Sequence, residues 1–158
     1  MTADAATAPT RPAGPPPVSF VVDEDSSIRH FVSLIMQGSG IDTQEFADGV
    51  AFRKAIETLT ANIVFINVPL NTDDAQKSLL ALSKSGFRGA VQLMTSRSTV
   101  LLDPVKAAGE QLKLRMLPSI KKPFDSAAVH KIIKDLKLGM PPPVAARIVL
   151  DDAIANDW

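Results

Sequence analysis

Three consecutive carboxylates, Asp23, Glu24 and Asp25, follow the apolar run VSFVV at 18–22. A single amide, Asn67, follows IVFI at 63–66. Two hydroxyls, Thr95 and Ser96, follow AVQLM at 90–94, and two ammonium groups, Lys121 and Lys122, precede Pro123. Clustered carboxylates repel one another and call for a divalent cation or a lysine to hold them together. An amide is the odd member of such a set. Its nitrogen lone pair is delocalised into the carbonyl, so it neither takes up a proton readily nor attacks an electrophile. It can still donate and accept hydrogen bonds.

The elements around these residues explain how they could meet. VSFVV (18–22) has the length and β-branched content of a strand. A helix follows with Ile28, Phe31, Val32 and Ile35 on one face, capped by Asp25 or Ser26. IDTQEF (41–46) is a weaker, edge-like strand, and Val50 to Leu59 is a helix with Asp48 as its cap. IVFIN (63–67) is the central strand. Asp73 to Ser85 is a helix with Ala75, Leu79 and Leu82 in register, stopped by Gly86. AVQLM (90–94) is the fourth strand. Asp103-Pro104 is a cap and first helical position, opening a helix to about Leu112. LRML (114–117) is the fifth strand, and Asp125 caps a last helix with Val129, Ile132, Ile133 and Leu136 on one stripe. Five strands alternating with five helices predict an α/β fold of flavodoxin-like (βα)5 type, a parallel sheet with helices on both faces. In such sheets chemistry lies beyond the carboxyl ends of the strands. All four polar groups fall there.

Composition narrows the classes. The chain has 158 residues and 46% apolar content, enough for one domain with a real core. Lys+Arg and Asp+Glu are 17 each, so net charge offers no case for nucleic acid or an anionic membrane. There is no Cys, which excludes disulfides and thiolate metal sites and suits the cytoplasm. No apolar run approaches the ~20 residues of a membrane span. Residues 1–17, rich in Ala, Thr and Pro, read as a disordered tail, 18–138 as the domain, and 139–158 as a Pro-rich linker leading into a following helix or domain. His30 and His130 lack ligand spacing and read as surface or packing residues, and Met36, Met94 and Met116 read as core fillers.

The polar set resembles that of response-regulator receiver domains, over residues 18 to 138. VVDEDSSIR looks like the family's opening motif, with Asp23 and Glu24 at its two acidic, metal-coordinating positions. LMTS places Thr95 at the family's hydroxyl, and KKPF places Lys122 at its lysine, followed by the proline that is often cis. Two positions depart from the pattern. Asn67 stands where the family carries its phosphate-accepting Asp, and Ser119 stands at the switch position, which then lacks its aromatic ring. The chain has no Tyr. The stretch from Thr95 to Asp103 is longer than the family's usual loop.

The resemblance therefore implies a pseudo-receiver that takes no phosphoryl group. Asn67 replaces one of three negatives, so demand for Mg²⁺ falls and the site at Asp23 and Glu24 is weak or empty. Asn67 could instead bridge a carboxylate and Thr95 as part of a hydrogen-bonded cluster. Such a module is expected to act through its own output domain or as a homodimer, using the last helix, where His130, Lys131 and Lys134 surround the apolar stripe. The final VLDDAIANDW looks like the lead-in helix of an EAL-type cyclic-di-GMP phosphodiesterase domain, with any catalysis lying outside this chain. Two other readings stand beside it. A flavodoxin-like cofactor carrier would need a Gly- or Ser/Thr-rich phosphate loop after strand one, where this chain has the repelling sequence DED. An ordinary receiver phosphorylated elsewhere would have to use Asp25, which lies on the wrong strand for in-line transfer.

Overall fold

The computed structural model describes residues 15–69, 72–96 and 102–138. The tail up to residue 14, the linker 139–158 and most of the long loop after Thr95 lie outside them. Within the domain, β1 (Val18–Val22), α1 (Ser26–Gly38), β2 (Asp42–Phe46), α2 (Gly49–Ala55), β3 (Ile63–Asn67), α3 (Asp73–Lys84), β4 (Ala90–Thr95), α4 (Asp103–Gln111), β5 (Arg115–Met116), β6 (Ile120–Lys121) and α5 (Ser126–Leu136) follow in order. The strands form one sheet in the order β2-β1-β3-β4-β5, with β6 also pairing with β4. Every pairing is parallel. The expected flavodoxin-like fold is present, with IDTQEF at the edge as read from its weak pattern.

Strand alternation builds two cores. Phe20, Val22, Val64, Ile66, Val91 and Leu93 face one side, packed with Phe52, Leu79, Leu82 and Val105 from α2, α3 and α4. Val21, Ile63, Phe65 and Met94 face the other, packed with Val32 and Met36 from α1 and Val129 and Ile133 from α5. This two-residue period is what a strand covered on both faces requires. Met36 and Met94 are fully buried core residues, and Met116 packs half-buried at the margin of the first cluster.

Three caps form as expected. Asp25 accepts from the Ser27 N–H, Asp48 from Ala51 and Asp125 from Ala128. Gly86 ends α3 at a φ of +80°, a conformation that costs glycine little. Four expectations need correction. Asp103 is not the cap of α4 but its first residue; the buried Leu102 holds the cap position without a side-chain bond. α4 also stops at Gln111, with Leu112 as its C-cap. α2 ends at Ala55 rather than Leu59, before a stretch containing Thr58 and Thr60, both poor helix formers. The fifth strand is two short pieces instead of one. Leu117 N–H still reaches Val91 at 2.9 Å. Pro118 then has no N–H to offer, and its carbonyl takes the buried Gln92 side chain at 2.8 Å. Pairing with β4 resumes at Ile120.

Candidate functional site

The carboxyl edge of the sheet collects the polar set. Asp23 follows β1 directly and is buried. Its backbone N–H donates to the Phe46 carbonyl at 3.1 Å, which carries the β1–β2 ladder one step further. Its Oδ1 accepts from the Asp25 N–H at 2.9 Å, forming the turn that launches α1. Asn67 is the last residue of β3, beside Met94 of β4. Thr95, the last residue of β4, is buried, and its carbonyl accepts the Lys122 N–H at 2.7 Å. The resumed pairing of β6 thus sets Lys122 against the strand ends.

Lys122 holds the centre. Its Nζ donates to Asp23 Oδ2 at 2.5 Å and to Asn67 Oδ1 at 2.8 Å. The Asp23 side chain is 1% exposed and that of Lys122 14%. The ammonium is therefore the bridge, joining the end of β1 to the end of β3. The sequence had suggested Asn67 for that part. The peptide between Lys122 and Pro123 is cis.

The remaining predicted residues are spread more widely. Glu24, next to Asp23, is exposed and stands apart from this cluster. Ser119 is half-buried just before β6. His30 is largely exposed, its Nδ1 2.8 Å from Glu45 Oε1. His130 is exposed on α5. Two contributors escaped sequence reasoning. Arg29 reaches back from α1 to donate to the Asp23 carbonyl at 2.7 Å, while its Nε lies 3.4 Å from Glu45. Gln92, buried in β4, holds Pro118 and so shapes the approach to β6. An Arg six residues after the first carboxylate, in the opening turn of a helix, was the available signal for the first. Nothing in the sequence flagged the second.

The donor set does not fit Mg²⁺. That ion demands near-octahedral oxygen ligands at short range. Both Asp23 oxygens already accept from protein donors, one of them a cation, and the Asn67 oxygen accepts from that same cation. Among the described residues no group of three His, Cys, Asp or Glu side chains converges on one point. Nor does any described helix have the length and apolarity to cross a membrane.

No protein-family model matches the chain. The transcriptional regulatory protein FixJ of Azorhizobium caulinodans is 28% identical over 114 residues, which are 72% of this chain and 52% of that protein. The chain thus spans about half the length of the curated relative it matches. Among solved structures, the beryllofluoride-activated NtrC receiver domain aligns with a TM-score of 0.60 at 23% identity, over 78% of this chain and 95% of that one. The chemotaxis response regulator CheY4 of Vibrio cholerae aligns with a TM-score of 0.61 at 20% identity, over 77% and 99%. A response regulator from Colwellia psychrerythraea gives 0.62 at 16% identity, over 76% and 95%. The fold of this chain is that of response-regulator receiver domains.

Proposed function

We propose that the chain is a phosphorylation-independent pseudo-receiver in signal transduction, a regulatory module that acts through contacts with its own output domain or with a second copy of itself. The receiver fold and the similarity to a transcriptional regulatory protein support a part in signalling. One observation carries the finer reading. At the end of the central strand, where a receiver needs a nucleophilic carboxylate, Asn67 accepts a hydrogen bond from Lys122. An amide oxygen so engaged has no route to an acyl phosphate. The chain itself is then non-catalytic and cytoplasmic, with neither nucleic acid nor membrane as partner. The cyclic-di-GMP phosphodiesterase reading of the output domain rests on residues outside the described ones.

The test is intact-mass spectrometry after incubation with acetyl phosphate or a histidine kinase. The wild-type chain keeps its mass. Asn67→Asp gains one phosphoryl group, because Asp23, Thr95 and Lys122 are already in place. A stoichiometric, acyl-phosphate-like adduct on the wild-type chain overturns the proposal.

A further inference from the structure

We propose that Lys122 and Asn67 are the two halves of an intramolecular isopeptide bond, with Asp23 as the proton carrier that allows it to form. Three groups of the right kinds meet at one place. Lys122 supplies a primary amine and Asn67 a carboxamide whose oxygen lies 2.8 Å from that amine. Asp23 supplies a carboxylate in contact with the same nitrogen. Burial matters as much as proximity. Asp23 is almost fully enclosed and the lysine side chain nearly so. Water, the competing nucleophile for an amide, has limited access.

The step balances without an oxidant or a co-reactant. The Asp23 carboxylate takes one proton from the Lys122 ammonium, leaving a neutral amine. Its Nζ adds to Asn67 Cγ, forming a tetrahedral centre whose oxygen carries the developing charge. A further proton passes, by way of Asp23, from the added nitrogen to Nδ2. The Cγ–Nδ2 bond breaks and the nitrogen departs as ammonium, carrying off the positive charge of the lysine. The product is a secondary amide whose remaining N–H still points to Asp23. Uncatalysed aminolysis of an amide is very slow. Holding the reactants together is worth an effective molarity of ~10⁵–10⁸ M in well-oriented systems, and a positioned proton carrier contributes a further ~10²–10⁴-fold.

The consequence goes beyond the proposed function and uses the same residues. Lys122 lies between β6 and α5, and Asn67 ends β3. The bond would fasten the β6–α5 segment to the central strand and fix the α5 face in one arrangement. It does not depend on whether the chain can be phosphorylated, since it is read on protein that has met no phosphodonor.

The experiment is intact-mass measurement of the purified full chain, fresh and after prolonged incubation, followed by peptide mapping. The wild type is expected to be lighter than its sequence mass by one ammonia. It should also yield a branched peptide joining the fragment that holds Asn67 to the one that holds Lys122. Lys122→Arg keeps the positive charge but offers no amine, and Asp23→Asn removes the proton carrier while keeping the shape. Both are expected at full sequence mass. A wild-type chain that stays at its sequence mass overturns the proposal. So does simple deamidation, which would mean that water attacks Asn67, or a branch that persists in Lys122→Arg.

Discussion

Lys122 Nζ lies 2.5 Å from Asp23 Oδ2, in a pair whose carboxylate is 1% exposed. A buried carboxylate that loses its cation is left uncompensated, which typically costs ~3–5 kcal/mol. Lys122→Met is therefore expected to lower unfolding stability by about that amount in a denaturant titration. Adding Asp23→Asn to it should recover part of the loss, because the second change removes the stranded charge. If Lys122→Met leaves the midpoint unmoved, the ammonium is not what holds the ends of β1 and β3.

Metal binding follows from the same contact. A divalent cation must displace Lys122 from Asp23 and Asn67, and the exposed Glu24 is the nearest replacement ligand in sequence. A ligand that binds the native state stabilises it by RT ln(1 + [L]/Kd). Millimolar Mg²⁺ is therefore expected to leave the melting temperature almost unchanged. Asn67→Asp restores a third carboxylate position and should make the melt respond to the metal. A rise of several degrees for the wild type would show that Asp23 and Glu24 suffice once the lysine swings away.

The opposite edge of the sheet offers a sterically defined test. A Cβ on Gly89 would lie 2.3 Å from the Asn62 carbonyl oxygen and 2.7 Å from Phe87 Cζ. That oxygen accepts the Ala90 N–H at 3.0 Å, so it cannot retreat without opening the β3–β4 ladder. Gly89→Ala is expected to destabilise by ~1–3 kcal/mol, the usual cost of overpacking. Gly38 provides the control. It closes α1 with nothing within 4 Å of an added Cβ. Gly38→Ala should stabilise by up to about 1 kcal/mol through helix propensity. Thermal melts of the two variants should move in opposite directions.

What the sequence revealed depended on whether the signal was local. The strand-helix alternation and the caps at Asp25, Asp48 and Asp125 are written in adjacent residues, and all formed. Asp23, Asn67 and Lys122 were legible as strand-end residues, and a parallel sheet must bring such ends together. Their actual bonding was not legible. Which group bridges which is settled by side-chain reach across 55 and 99 positions of sequence. The split fifth strand failed for a similar reason. LRML is apolar enough to be one strand, but Pro118 interrupts the ladder and a distant Gln92 fixes the break. At Asp103 the cap rule lost to burial, since Leu102 must enter the core one position earlier.

Self-association can be tested on the face that α5 leaves open. Val129 and Ile133 are buried against the sheet and α1, and Ile132 and Leu136 are half-covered. The apolar stripe is thus largely spent within the domain. What faces solvent is a basic strip of His130, Lys131, Lys134 and Lys137, with Lys131 paired to Asp135 at 2.8 Å. A second copy docking here would use the half-covered edge and the charges around it. Such an interface is weak, polar and sensitive to salt, because exposed charges are screened within about 10 Å at 0.1 M ionic strength. Sedimentation of the domain at tens of micromolar is expected to show a monomer–dimer equilibrium that shifts toward monomer as salt rises. Lys134→Glu should shift it the same way while leaving the melting temperature unchanged, since an exposed substitution costs within about 0.5 kcal/mol. A clean monomer at low salt would remove this face as a self-association surface. Contact with the output domain would then be the module's remaining means of acting.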